Sequence, residues 1–317
     1  MEGLLLAAAA VIVTYNSASV IDNCLNALQL HAPEISVTVV DNRSSDDTVE
    51  RVQKHEGVGC LRNEANLGFA AAVNQGARAA AGADAILVLN PDVTLTTSLN
   101  PLAEACRVHG IAAGQLTDSY DRPQTGFTVR SLPSPTALIF ELVGLNRLWP
   151  SNPVNRRYRC LDRDLETPGP VEQPAGAFLM VRRDVWESLG GMDESFYPIW
   201  FEDVDFCRRA IDAGVRIEYV PAVKARHQGG HSVGTLESAH RATYWCDSLL
   251  RYAAKHFSTA EYRGVCAAVL LSSVPRGMAG ILREAKFEPL TVSVRIAGMA
   301  ARRLLCIQKD RNAGGGD

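Results

Sequence analysis

The stretch ILVLNPDVTL, residues 86–95, begins as a buried strand and stops abruptly. Ile86 to Leu89 suit a strand covered on both faces. Asn90-Pro91-Asp92 refuses to extend it, because Pro91 lacks a ladder donor and Asn and Asp favour turns. The same grammar runs upstream. VIVTY (11–15), SVTVV (36–40) and the short run 57–61 are apolar and end in polar residues. Between them Val20, Ile21, Cys24, Leu25 and Leu28 recur at helical spacing, with Ser17 or Ser19 as a cap. Ser45-Asp46 caps a second helix reaching about Lys54, and residues 67–81 form an Ala-rich third. Strands alternating with helices predict an α/β fold with a mostly parallel, doubly wound sheet flanked by helices. Ligands of such sheets sit beyond the carboxyl ends of the strands. The residues there are Thr14-Tyr15-Asn16, Asp41-Asn42-Arg43-Ser44, Arg62-Asn63 and Asn90-Pro91-Asp92.

With 317 residues, 47% hydrophobic and 21% charged, the chain buries a full core as one large domain with an appendage or as two small ones. A formal net charge of −3 argues against nucleic-acid binding, which calls for a basic excess. The eight cysteines are scattered without a CxxC pair, which reads as reduced thiols in a cytoplasmic protein. The opening MEGLLLAAAAVIVTYN lacks a basic start and passes into a β-branched strand, so it reads as a first core strand rather than a signal peptide. No stretch reaches the ~18 apolar residues needed to span a bilayer.

Residues 117–174 change character, with eight prolines and arginines at 122, 130, 147, 156, 157, 159 and 163, and read as an irregular insertion. Order returns with PAGAFLMVRR (174–183), a helix from about Asp184, the segment GGMDESF, and a helix opening near Glu202-Asp203. Beyond residue 236 the chain reads as helical, with a frayed NAGGGD end. From Arg276 to Arg311 it carries eight Lys/Arg against three Asp/Glu, a net +5. Such a basic amphipathic segment lies on an anionic membrane or packs as a solvated helix, and the sequence leaves both open.

No GxGxxG, GxxxxGK[ST] or GxSxG is present, which removes support for nicotinamide, P-loop and nucleophile-elbow chemistry. The motifs that are present, VIVTYNS, VVDNRSSDDT, NEANLGFAAAVNQG, LVLNPDV, GAFLMVRR, GGMDESFYPIWFEDVDFCRR and HQGGHS, follow one another over residues 9–235. In that order they resemble family 2 glycosyltransferases of the A-type fold, and within them the rhamnosyltransferase-like branch. The resemblance implies a catalytic domain over 9–235, with a nucleotide-sugar half (1–115) and an acceptor half (116–235), and a helical C-terminal extension over 236–311.

What the resemblance implies for the site follows sugar-transfer chemistry. Thr14 and Tyr15 line the base pocket. Asp41 accepts from the base or ribose, with capping of its own turn as the alternative. Gly68 lets the chain approach an anion at a helix start, and Arg62, Asn66 and Asn74 reach the nucleotide. A divalent cation, Mn²⁺ or Mg²⁺, offsets the charge of the departing diphosphate. The family's DxD-like first position is Asn90 here, so the carboxylate of that motif is Asp92, and Asn90 contacts the sugar or braces the turn. His227, in an H-x-x-G-x-S pattern with Gly230 and Ser232, is the second protein ligand, ahead of His231. Asp203 is the base that takes the acceptor's proton. Glu202 and Asp205 raise its pKa by repulsion. Trp200 and Gly176 face the acceptor.

The expected function is inverting transfer of a sugar, L-rhamnose from dTDP-L-rhamnose first, onto a cell-surface glycan or polyprenyl-linked acceptor. The enzyme is expected in the cytoplasm or peripherally on the cytoplasmic face of the inner membrane. A non-catalytic sugar-nucleotide-binding scaffold and a nucleotidyltransferase are the rival classes. The sequence leaves open the donor base, the acceptor and a homodimer.

Overall fold

The computed structural model describes residues 6–229, 238–284 and 287–313. The chain folds into two compact units: Met1–Leu132 with Arg159–Thr235, and Pro133–Tyr158 with Leu236–Asp317.

The first unit is built on a nine-stranded sheet. Its strands are β1 (Ala8–Thr14), β2 (Ser36–Asp41), β3 (Val58–Arg62), β4 (Ala85–Leu89), β5 (Val93–Leu95) and β6 (Gly110–Thr117). A separate two-stranded pair joins β7 (Val129–Arg130) to β9 (Gln173–Pro174). The main sheet is completed by β8 (Gly169–Pro170), β10 (Phe178–Arg182) and β11 (Arg216–His227). Its order is β3-β2-β1-β4-β10-β6-β11-β5, with β8 paired to β11. β1, β2, β3, β4, β6 and β11 point one way, and β5, β8 and β10 the other.

Alternation along the strands assigns each side chain to a layer. Ala10, Ile12, Leu87, Leu89 and Met180 meet Ile21, Cys24, Leu25 and Leu28 of α1 (Ile21–His31). Val11, Val13, Ile86, Val88, Leu179 and Val181 meet the opposite layer. That layer includes Ala70, Val73 and Ala77 of α3 (Phe69–Ala79) and Val185 and Trp186 of α8 (Arg183–Ser188). Phe206 and Ala210 of α9 (Glu202–Asp212) complete it. All five β4 residues are buried, the pattern of a strand covered on both faces. α2 (Thr48–Val52) stops two residues short of Lys54, and α4 (Asn100–His109) covers the first layer through Leu102 and Cys106. The N-cap of α1 is Val20, which offers no side-chain cap bond, and the Ser17 carbonyl accepts from Val20 and Ile21 N–H. Pairing aligns Thr14 with Asp41 and Asp41 with Arg62, so three strands end level at one edge.

The second unit corrects two expectations. Residues 133–158 are not irregular. They form α5 (Pro135–Leu142), α6 (Leu145–Leu148) and α7 (Pro153–Tyr158), and cluster with the C-terminal helices. The prolines misled because Pro135 stands in the first helical turn, where a missing N–H costs nothing, and the Ser134 hydroxyl accepts from Ala137 N–H. α5 packs on the helix Thr259–Glu284, where Arg276 donates to the Leu142 carbonyl. The remaining helices are Ser238–His256 and Glu288–Ala313, tied by Arg303 donating to Asp247.

Secondly, the window Thr259–Leu282 is long and apolar enough to cross a bilayer by length and composition, with mean hydropathy 1.7 and 33% of it buried. Ser272, Ser273, Pro275 and Arg276 interrupt its apolar run, which masks its overall apolar character in the sequence. Gly230, His231 and Ser232 of the H-x-x-G-x-S pattern lie outside the described residues, as do 1–5 and 314–317.

Candidate active site

Asp203 is the second residue of α9, and its carboxylate is held from two sides. Gly176 N–H donates to Oδ2 at 3.1 Å and Val204 N–H to Oδ1 at 2.8 Å. A Cβ at position 176 would stand 2.6 Å from the Asp203 Cβ, so the close approach requires glycine. Gly176 is thus the seat of Asp203, a role beyond the acceptor contact expected of it. Its neighbour Ala177 accepts from Asn90 N–H at 3.0 Å, joining this seat to the end of β4.

Burial raises the Asp203 pKa, although the Gly176 and Val204 N–H groups and the Arg130 guanidinium all favour the carboxylate. Glu202 is raised well above its ordinary value, first by burial and then by the Asp203 charge. Its Oε2 is buried without a hydrogen-bond partner. The expected repulsion therefore acts on Glu202. Asp205, fully buried, is paired with Arg209 at 2.8 Å, and Arg209 also donates to the Leu189 and Gly191 carbonyls. It fastens α9 to the preceding turn rather than tuning the base. Trp200 and Phe201, just before α9, both hold left-handed backbone (φ 78° and 69°). Strain of about 1–3 kcal/mol per such residue concentrates at functional sites. Trp200 is half-buried.

The second centre arises from strand pairing. β5 and β11 pair so that His227 lies opposite Val93, beside Asp92. His227 and Asp92 are 5% and 6% exposed, and Nε2 lies 3.7 Å from Oδ1. That exceeds hydrogen-bond reach and fits two ligands of one cation, each about 2.0–2.2 Å away. Burial lowers the His227 pKa, with Asp92 pulling it back in part, which favours the neutral imidazole a cation needs.

Gln124 fixes its tautomer. Nε2 of Gln124 donates to the His227 carbonyl at 2.8 Å, which turns Oε1 toward Nδ1 at 3.0 Å. Nδ1 then carries the proton, an assignment made from this network, and the Nε2 lone pair faces Asp92. Phe127 stacks on the imidazole at 5.0 Å between centroids, and Arg130 lies over the Phe127 ring at 5.6 Å. Gln124, Phe127 and Arg130 escaped the sequence reading because they sit in the Pro/Arg-rich stretch. Only the fold brings them against His227 and Asp203. Among the described residues no group of three or more His, Cys, Asp or Glu could hold a metal ion, so Asp92 and His227 stand as a pair.

The expected nucleotide residues divide. Asp41 has no exposed surface. Thr14 Oγ1 donates to its Oδ1 at 2.9 Å, Ser44 Oγ to the same oxygen, and Ser44 N–H to Oδ2 at 2.9 Å. The turn-capping alternative is what these bonds describe. Asn42 is a hub: it donates to the Gly68 carbonyl at 3.1 Å and accepts from Asn63 at 2.9 Å. The anion site expected at the start of α3 is already occupied by protein. Gly68 N–H donates to Asn66 Oδ1 and Phe69 N–H to the Pro198 carbonyl, both within 2.9 Å. Gly68 holds φ 87°, and a Cβ there would meet Tyr197 Cδ2 at 2.9 Å. Asn74 is also engaged: it donates to the Met192 carbonyl and Glu194, and accepts from Met192 N–H. Tyr15 and Asn90 are half-buried and Arg62 is exposed, which leaves their side chains at the edge.

A sheet with polar strand ends, a carboxylate–imidazole pair and a buried helix-start carboxylate is the A-type glycosyltransferase architecture. The profile of glycosyl transferase family 2 matches residues 9–189, and one described as the N-terminal domain of galactosyltransferase matches 156–231. The N-acetylglucosaminyl-diphospho-decaprenol L-rhamnosyltransferase of Mycobacterium tuberculosis is 32% identical over 261 residues, 78% of this chain and 84% of that one. The low-salt glycan biosynthesis hexosyltransferase Agl10 of Haloferax volcanii is 24% identical, covering 73% and 70%. A solved mannosyltransferase of Pyrobaculum calidifontis, in complex with GDP-Man and Mn²⁺, shares the fold with a TM-score of 0.53 at 15% identity, covering 96% of this chain and 88% of that one. The chain belongs to glycosyl transferase family 2 and is a glycosyltransferase.

Proposed function

We propose that the protein transfers L-rhamnose from dTDP-L-rhamnose to a glycan carried on a polyprenyl diphosphate, with inversion at the anomeric carbon. The observation that carries the reading is the seating of Asp203 on Gly176, one residue from the Ala177 carbonyl that holds Asn90 beside Asp92. One group able to take a proton and one able to bind a cation thereby flank the same strand end. The donor sugar and acceptor class follow the 32%-identical relative.

Asp203 takes the proton of the acceptor hydroxyl as its oxygen forms a bond to the anomeric carbon. The bond from that carbon to the diphosphate oxygen breaks on the opposite face, and its electron pair leaves with the nucleoside diphosphate. A positioned base contributes about 10²–10⁴-fold. Asp92 and His227 would hold Mn²⁺ or Mg²⁺, which when bound would supply Lewis-acid stabilisation of the leaving diphosphate. Arg130 adds a fixed cation beside the base. Tyr15, Arg62 and Asn90 contact the nucleotide-sugar, while Thr14, Asp41, Asn66, Gly68 and Asn74 hold the loops that shape its pocket. Trp200 provides an apolar face for the acceptor sugar. The acceptor's lipid places the enzyme peripherally on the cytoplasmic face of the membrane.

The test offers dTDP-L-rhamnose, UDP-hexoses and GDP-hexoses, each with Mn²⁺, to a short-chain polyprenyl diphosphate bearing N-acetylglucosamine. Rhamnosylated product with release of dTDP supports the reading. Transfer from another donor alone removes the donor assignment, and turnover with none removes the reading itself.

A further inference from the structure

The helix Thr259–Glu284 is apolar on two sides. Val265, Cys266 and Val269 are fully buried, at 0%, 0% and 1% exposure. Leu271, Val274, Met278 and Leu282 are exposed by 74%, 53%, 58% and 87%. Their spacing places these four within roughly 80° of arc on a 3.6-residue helix. A core needs one face of a helix, and this second stripe is left in solvent. Phe287 and Val294 continue the exposed apolar surface into the next helix region, at 78% and 60%.

Charge identifies what covers it. Over residues 262–309 the sequence carries eight Lys/Arg, at 263, 276, 283, 286, 295, 302, 303 and 309, against two acidic residues, Glu284 and Glu288, a net +6. Arg276, Arg295 and Arg302 are exposed. An apolar stripe in a segment with a clear excess of cations complements the headgroup–acyl boundary of an anionic bilayer. A second copy of the chain would bring like charges together across a two-fold axis. The helix also packs as one leg of a hairpin rather than standing alone. A Cβ on Gly277 would meet Ser293 at 3.0 Å, and one on Gly280 would meet Pro289 at 2.4 Å.

We propose that the second unit docks on anionic lipid through Leu271, Val274, Met278 and Leu282, lying in the interface, with Arg295 and Arg302 on lipid phosphates. The proposal deepens the lipid-linked acceptor reading and rests on it for its biological purpose, but its physical test is independent of transfer.

The full chain is sedimented with vesicles of phosphatidylcholine alone and of phosphatidylcholine mixed with phosphatidylglycerol. Wild-type protein partitions at least about tenfold better onto the anionic vesicles, and less as salt rises. The double variant Met278→Ser/Leu282→Ser, altered only at exposed positions, loses about tenfold or more of that binding while keeping its thermal midpoint. Arg295→Glu/Arg302→Glu loses a similar factor. Both variants retain transfer to a short-chain soluble acceptor, so failure of docking and failure of the catalytic reading are separate results. The proposal is overturned if wild-type protein ignores anionic vesicles or if the Ser variant binds as well as wild type. It is equally overturned if the stripe proves to be a dimer contact, with sedimentation velocity showing a dimer that the Ser variant dissociates.

Discussion

Gly176 N–H donates to Asp203 Oδ2 at 3.1 Å, and no side chain fits between the two residues. The next carbonyl along the chain, that of Ala177, receives Asn90 N–H. Two successive residues thus couple the carboxylate on α9 to the strand end that bears Asp92. Mechanistic consequences of this coupling are open to direct measurement.

Gly176→Ala forces Asp203 off its seat, because the added carbon would lie 2.6 Å from the Asp203 Cβ. A misplacement near 1 Å costs about 10²-fold in rate. The expected result is a kcat reduced by about that factor, with nucleotide affinity retained and stability lowered by roughly 1–3 kcal/mol. A variant with unchanged kcat would show that the seat is dispensable.

Asp203→Asn keeps the shape and removes the proton acceptor. Transfer should fall by about 10²–10⁴-fold while nucleoside diphosphate still binds. Calorimetric titration alongside the transfer assay measures both. Undiminished turnover would remove the base assignment, and a surviving nucleotide complex distinguishes lost chemistry from lost folding.

In the proposed mechanism the ionised form of Asp203 takes the proton, and burial raises its pKa above 3.8. kcat/KM should therefore climb with pH through a limb above the ordinary Asp value of about 3.9. Arg130 favours the charged carboxylate, so Arg130→Met moves the limb to higher pH and Arg130→Lys moves it less. A pH–rate profile with an unmoved limb contradicts this coupling.

Gln124→Leu leaves His227 without the acceptor that fixes its tautomer. Loss of such an outer partner weakens metal binding by about 10–100-fold. The Mn²⁺ concentration for half-maximal transfer should rise by that factor, and kcat should recover at saturating Mn²⁺. An unchanged Mn²⁺ dependence would place the cation elsewhere.

Glu202 tests the electrostatics through stability. Its folded pKa is raised well above 4.5, so the folded protein keeps a proton that the unfolded chain releases as pH rises. Stability falls from about pH 4.5 upward until the folded pKa is passed. Glu202→Gln removes that loss. Its stability relative to wild type should therefore be greater at about pH 8 than at about pH 4. Urea melts at the two pH values measure the difference.

The parallel strands and their polar ends were legible because the signals are local. Leu89 followed by Asn90-Pro91-Asp92 states both the strand and its stop. The helix carrying Asp203 was legible for the same reason. The acidic residues around it were not correctly weighted, since only the fold reveals that Asp205 meets Arg209 while Oε2 of Glu202 is sealed without a partner. Asp41 and Asn74 look like ligands in a sequence. In space their polar atoms are spent on Thr14, Ser44, Met192 and Glu194. Gln124 was invisible because its role depends on where β11 ends, and the helices of 133–158 were masked by prolines that open them.

The central claim is that the edge holding Asp92, His227 and Asp203 is a donor site whose cation binds with the nucleotide. Thermal melting with a panel of nucleoside diphosphates and their sugars, with and without Mn²⁺, tests it most directly. The account predicts that dTDP or dTDP-L-rhamnose with Mn²⁺ raises the melting temperature, and that Mn²⁺ alone does not, because among the described residues no third His, Cys, Asp or Glu joins Asp92 and His227. Stabilisation by no nucleoside diphosphate, or tight binding of Mn²⁺ to the nucleotide-free protein, would contradict it.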